Sequence, residues 1–158
     1  MSSEDIKIVI VGESKVGKTS VIEQFNYGKL YPEGAKNELK VYKNMKTDLH
    51  IIEINTNKEN TDIIKLFAKG AKAFILIYDI TNENSFKELK NWYDILKEFG
   101  VPFYVVANKN DLEDKKVKDE DSKKFAESIK AEFVSVNAKD NDCITNFFKS
   151  IEEKFKNK

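Results

Sequence analysis

Apolar positions along the chain gather into five runs separated by polar stretches: IKIVIV (6–11), LHIIEI (49–54), AFILIYDI (73–80), PFYVVANK (102–109) and the shorter EFVSVNA (132–138). The first, third and fourth are nearly unbroken and rich in Val and Ile, the pattern of strands covered on both faces. Helical patterns lie between them. Residues 18–27 form one, and SFKELKNWYDILKEFG (85–100) repeats Phe86, Leu89, Trp92, Tyr93 and Leu96 at three- and four-residue steps. Ser85 and Glu88 have the spacing of a capping box, and Gly100 closes that segment ahead of Pro102. Two more helices are predicted at 119–130 and 141–156. Strands alternating with helices predict an α/β fold, a mostly parallel sheet flanked by helices. LKVYKNM (39–45) is close enough to 48–54 to form a hairpin, adding one antiparallel edge strand. No linker, repeat or low-complexity stretch divides residues 1–158, so one domain is expected.

The first run leads into Gly12-Glu13-Ser14-Lys15-Val16-Gly17-Lys18-Thr19, a match to G-x-x-x-x-G-K-[ST], followed by Ser20 and a helical pattern. The spacing suits a phosphate cradle. Two glycines let backbone N–H groups turn inward around phosphate oxygens, and the helix that follows points its positive end at them. In this motif Lys18 reaches the β- and γ-phosphate oxygens and the Thr19 hydroxyl takes a Mg²⁺ position.

A second polar group follows the fourth apolar run. Asn108-Lys109-x-Asp111 stands at the expected carboxyl end of a strand, where open α/β sheets bind ligands. A carboxylate there accepts both N–H groups of a guanine edge, and a site built for that pair rejects adenine because its own polar groups would stay unpaired. Asn137-Ala138-Lys139, after the last run, is placed to add a backbone N–H to the guanine oxygen.

Composition narrows the partners. Twenty-seven basic and 27 acidic residues cancel, so no net field steers the chain toward nucleic acid or an anionic membrane. All the basic residues are lysine, so the chain has no arginine to offer a transition state. The single cysteine, Cys143, excludes a disulfide framework and fits a reducing, cytoplasmic setting. The segment MSSEDIKIVI lacks the basic start and apolar core of a signal peptide, and EKFKNK carries no cysteine for prenylation. Membrane attachment is therefore expected only through a lipidated tail outside these residues, and then peripherally on endomembranes.

Taken in order, GESKVGKTS, IYDITNENSF, LKNWYDIL, NKNDL and the near-match NAK resemble the small GTPases of the Ras superfamily, and among them the Rab proteins, across residues 6–156. That resemblance implies a six-stranded sheet, five helices, and GTP or GDP bound with Mg²⁺. It places Gly12 to Ser20 on the phosphates (Gly12, Ser14, Lys15, Val16, Gly17, Lys18, Thr19 and Ser20 as ligands), with Asn108, Lys109 and Asp111 on guanine. Asn137, Ala138 and Lys139 complete the base pocket. Leu30 and Tyr31 align with an aromatic that packs on the base in many relatives, and Tyr31 is the candidate.

The resemblance fails where such proteins sense the γ-phosphate. Their first switch carries a threonine that ligates Mg²⁺, yet residues 26–46 contain none, and its position falls near Asn37. Thr47 stands in only if the hairpin supplies it. The second switch of the family reads D-x-x-G-Q; counted back from Asp79, its Asp aligns with Glu53, its Gly with Thr56 and its water-positioning Gln with Asn57. A shifted alignment brings Asn55, Lys58 and Glu59 there instead. Glu53 is the candidate to reach Mg²⁺ through water. Asn57, one methylene shorter than Gln, is poorly suited to orient an attacking water, so no catalytic residue is assigned. The stretch EINTNKEN reads as a solvated loop. Lys15 has two readings: an exposed flexible side chain, or an ammonium leaning over the phosphates to replace charge lost with the switch ligands.

Since phosphoryl transfer is nearly all positioning and charge stabilisation, hydrolysis is expected to be very slow. The function that follows is a Rab-like GTP/GDP-binding protein with atypical switches, regulating or scaffolding membrane traffic or signalling through effector or regulatory proteins. Three alternatives stand beside it: a working switch completed by a partner or second domain, a phosphate-loop kinase or ATPase, and a nucleotide-free interaction module.

Overall fold

A computed structural model describes residues 6–13, 16–27, 39–43, 47–54, 58–109 and 115–156, without the side chains of 19, 23, 26, 27, 39–43 and 109. Among the described residues six strands form one sheet: β1 (Ile6–Val11), β2 (Leu39–Lys43), β3 (Leu49–Ile54), β4 (Ala73–Asp79), β5 (Phe103–Lys109) and β6 (Glu132–Asn137). Their order is β2-β3-β1-β4-β5-β6, parallel throughout except for β2, which pairs antiparallel with β3 from Leu39↔Ile54 to Lys43↔His50. The predicted edge hairpin is therefore present. β1 lies between β3 and β4, and the chain leaves it toward one side of the sheet but later crosses to the other. Its carboxyl end is thus the topological switch point, where a ligand crevice is expected.

The unbroken apolar runs are explained by two cores. Ile8 and Ile10 of β1 point to one face, packed with Val21, Ile22 and Phe25 of α1 (Lys18–Tyr27) and with α6 (Asn141–Lys156). Val9 and Val11 point to the other, against α2 (Thr61–Ala68), α4 (Leu89–Leu96) and α5 (Asp119–Ser128). A period of two with both faces buried leaves no polar position to interrupt the run. On α6, Ile144, Phe147, Phe148 and Ile151 follow the i, i+3, i+4, i+7 spacing and are all buried. Each contributes about 1.5–3 kcal/mol by leaving water. Phe148 also stacks on Phe25 with ring centroids 4.6 Å apart.

Three details depart from the sequence reading. The helix expected over 85–100 begins earlier, as α3 (Glu83–Lys87), and a turn at Glu88 separates it from α4. Its N-cap is Asn82, whose side chain accepts from the Ser85 N–H at 3.1 Å. No capping box forms from Ser85 and Glu88. The buried Ser85 hydroxyl accepts from the Asp79 N–H and donates to the Asn82 carbonyl. The Glu88 carboxylate is engaged elsewhere, as described below. Six α-helices thus stand among the described residues where five helices were implied, α3 and α4 dividing one of them, and a 3₁₀ turn over Lys97–Phe99 follows α4. Helix α2 was not among the predicted helices; it is short, eight residues, with Ile64 and Ala68 buried and Ile63 and Leu66 exposed.

At the far end of the sheet, the turn before β3 is fastened by the last helix. The Asp48 N–H donates to Glu152 Oε2 at 2.7 Å, and the Lys156 ammonium lies 3.3 Å from the Asp48 carboxylate.

Candidate functional site

The site is built at the carboxyl ends of β1, β3, β5 and β6. β1 ends at Val11, and α1 opens at Lys18 with the first helical bond from Val21 N–H to the Gly17 carbonyl, 2.9 Å. Both glycines are dictated by close approach. A side chain at Gly12 would collide with the Ile77 carbonyl, and one at Gly17, whose φ is 95°, would collide with the Asn108 amide.

Lys18 folds back across the loop. Its ammonium donates to the carbonyls of Gly12 at 2.8 Å and Glu13 at 2.9 Å, and the side chain is buried. Burial draws its pKa down from 10.5 to about 8, against the opposing pull of Glu53 and then Glu13. A buried cation held this way is poised to gain from an anion that restores its lost solvation.

Asn108 joins the two halves of the site. Its Nδ2 donates to the Val16 carbonyl at 2.8 Å, tying the end of β5 to the phosphate loop, while its Oδ1 is buried with no hydrogen-bond partner among the described residues. The strand register sets Lys109 beside Asn137. Asn137 Oδ1 then accepts from the Lys139 N–H at 2.9 Å, fixing the turn in which Ala138 packs against the core. Val16, Gly17, Lys18, Asn108, Asn137, Ala138 and Lys139 are thus brought to one edge of the sheet, with Ser20 half-buried on α1. Ser14, Lys15, Tyr31, Asn57 and Asp111 lie outside the described residues, as do the side chains of Thr19 and Lys109.

The stretch after β3 corrects one expectation. EINTNKEN is not simply a solvated loop: Glu53 and Ile54 are the end of β3 and are buried, Glu53 completely. Glu53 pairs in register with Ile10 of β1, which places its carboxylate next to the phosphate loop. Lys58 is only about a quarter exposed and reaches Glu13 at 2.7 Å and Glu88 at 3.1 Å. Sequence reasoning considered Lys58 only as a shifted alignment and Trp92 only as core; their contacts join residues 45 and 79 positions apart from Glu13, which no local pattern marks. Thr47 sits before the amino end of β3. The six residues of that strand separate it from the site by about 20 Å, so it is no metal ligand here. Asp79 binds its own loop, accepting from the Thr81 N–H at 2.8 Å and hydroxyl at 2.7 Å. Among the described residues no three His, Cys, Asp or Glu side chains cluster to hold a metal, and no helix is long and apolar enough to cross a membrane.

A glycine loop capped by a buried lysine, at the switch point of a mostly parallel sheet and tied to an Asn from the adjoining strand end, defines a phosphate-loop nucleotide-binding domain. The comparisons narrow the class. The profile of the Ras family matches residues 7–157, and the chain belongs to that family as a Rab-like small GTPase. It is 33% identical to mouse Rab-22A over 159 residues, covering 94% of this chain and 82% of that protein. It is 30% identical to RabC of Dictyostelium discoideum (90% and 79% covered) and 32% identical to human Rab-3A (92% and 71%). Membership implies guanine-nucleotide binding, generally with Mg²⁺.

Proposed function

We propose that this protein binds GTP and GDP with similar affinity and hydrolyses GTP very slowly, acting as a guanine-nucleotide holder that regulates or scaffolds membrane traffic or signalling. The observation that carries the reading is Asn108: one side-chain atom secures the phosphate loop, and the other is buried with no hydrogen-bond partner among the described residues. An orphaned buried acceptor costs free energy unless the bound state satisfies it. Gly12, Val16, Gly17, Lys18 and Ser20, with Ser14 and Lys15, are assigned to the phosphates. Asn108, Lys109 and Asp111, with Asn137, Ala138, Lys139 and Tyr31, are assigned to guanine.

Mg²⁺, when bound, neutralises charge on the phosphate oxygens; Thr19 and, through water, Glu53 would hold it. Slow hydrolysis rests on the residues themselves. Residues 26–46 lack threonine, Asn57 stands where a glutamine would position water, and no arginine exists to stabilise transferred charge. Effectors and regulatory proteins are the expected partners, and endomembranes the expected location if a lipidated tail follows this sequence in the full protein.

Titrating the nucleotide-stripped protein with fluorescent GTP and GDP, each with and without Mg²⁺ and with ATP as competitor, tests this reading. Similar affinities for the two guanine nucleotides, weak dependence on Mg²⁺ and no competition by ATP are expected. A strong Mg²⁺-dependent preference for GTP would overturn the holder reading, and effective competition by ATP would overturn guanine specificity.

A further inference from the structure

Glu13 faces two ways. Its backbone carbonyl accepts from the Lys18 ammonium, whereas its carboxylate turns outward, where Oε2 accepts from Lys58 Nζ at 2.7 Å and from Trp92 Nε1 at 2.9 Å. Lys58 is gripped from three sides. Besides Glu13 it reaches Glu88 Oε2 at 3.1 Å, and its ammonium lies 5.7 Å from the centroid of the Trp92 ring. Glu88 stands at the junction of α3 and α4 and is itself steadied by Asn91 Nδ2 at 2.7 Å. Burial works against the Lys58 charge, but the bonds to Glu13 and Glu88 outweigh it and raise its pKa. The Glu88 carboxyl is held below its ordinary range by Asn91 first and Lys58 second.

These four side chains come from the phosphate loop, the segment that opens α2, and α4. In a switching protein the segment before α2 is the one that must follow the γ-phosphate. Here Lys58, three residues ahead of α2, is fastened to protein groups, with the Glu13 and Glu88 carboxylates, the indole N–H and the aromatic face committed to one another. Lys18, whose ammonium is bonded to the backbone carbonyls of Gly12 and Glu13, takes no part in these side-chain bonds. We propose that Glu13, Lys58, Glu88 and Trp92 form a latch that pins the start of α2 to the phosphate loop and to α4 whichever guanine nucleotide is bound.

This inference rests on the reading of the loop as a guanine-nucleotide site, and it explains how a holder keeps one conformation. Lys58 is a positioning residue that acts through its bond to Glu13. The pair is partly shielded yet open enough for salt to screen it.

Amide hydrogen exchange over residues 58–68 tests it, measured on the full chain with GDP, with a non-hydrolysable GTP analogue and without nucleotide. In the unsubstituted protein the GDP and GTP-analogue states are expected to agree within about twofold. Lys58→Gln should exchange about fivefold faster in every state, the size expected for losing two partly exposed ion pairs. Lys58→Arg should keep most of the protection. Raising NaCl to about 0.5 M should speed exchange in the unsubstituted protein but leave Lys58→Gln unmoved. Trp92, the chain's single tryptophan, gives an independent signal, since removing the cation over its ring should shift its emission.

A tenfold difference between the GDP and GTP-analogue states of the unsubstituted protein would overturn the latch, as would a Lys58→Gln variant with unchanged exchange. If guanine nucleotides fail to bind at all, the functional reading falls by itself. The comparison of Lys58→Gln with the nucleotide-free parent then still decides whether the latch exists.

Discussion

The carboxyl ends of β5 and β3 flank β4 and β1 at one edge of the sheet, yet they are built on different principles. On the β5 side, Asn108 spends one amide atom on the phosphate loop and leaves the other buried without a partner among the described residues. On the β3 side, Glu53 is buried beside Lys18, and Lys58 a few residues on is bound to two carboxylates and an aromatic ring. One side keeps polar capacity in reserve and the other has spent it within the protein. A group held in reserve is what a ligand recognises; a group already satisfied gives a ligand nothing to gain. The contrast supports the proposed reading of a nucleotide holder.

The most severe way to break this contrast is to remove the buried cation. Lys18→Ala should lower GDP affinity about a hundredfold while leaving the melting temperature of the nucleotide-free protein little changed, because the lost bonds to Gly12 and Glu13 are offset by relief of a desolvated charge. Equilibrium titration and thermal melts check both halves. A smaller effect is expected of Asn108→Ala, which cuts the tie to Val16: about 1–2 kcal/mol of stability and roughly tenfold in GDP affinity, read from denaturant unfolding and titration. Equal losses from a comparable change at Lys58 would erase the distinction between the two sides.

The smallest effect sharpens the comparison by testing how rigidly the base side is framed. Tyr78 of β4 is bonded through its hydroxyl to the buried Ser122 of α5, and burial raises its pKa to about 12, Ser122 opposing and Asp119 adding to the rise. Unfolded tyrosine ionises near 10, so the unfolded chain loses its proton first as pH climbs. The stabilisation is complete below pH 10 and fades between 10 and 12, by up to about 1.4 kcal/mol per pH unit. Tyr78→Phe should cost about 1 kcal/mol at neutral pH and flatten that part of the alkaline stability curve, measured by urea unfolding at several pH values.

The same division governs what could be read from the chain itself. β1, β4 and β5 were legible because both of their faces are buried, which writes continuous Val/Ile runs. The loop from Gly12 to Thr19 was legible because close backbone approach demands glycine at fixed steps. Helix α2 was not, since it spans only eight residues, about two turns, and follows directly on a polar stretch. Nor was the cap at Asn82, for Ser85 and Glu88 have the right spacing for a capping box but Glu88 is claimed by Lys58 and Asn91. Ion pairs between residues distant in sequence leave no periodicity behind. Close-packed glycines and strand ends therefore left a pattern in the sequence, and long-range side-chain bonds did not.

The hold of α6 on the turn before β3 has a consequence for the order of events during synthesis. Asp48 is made early, but its partners Glu152 and Lys156 come more than a hundred residues later. Chains emerge from the ribosome at about 5–20 residues per second. The edge hairpin thus spends at least about five seconds in the growing chain before its turn is secured. Every truncated product that stops short of Glu152 lacks the bond that holds Asp48 to the last helix, so the turn before β3 is secured only when the chain is nearly complete.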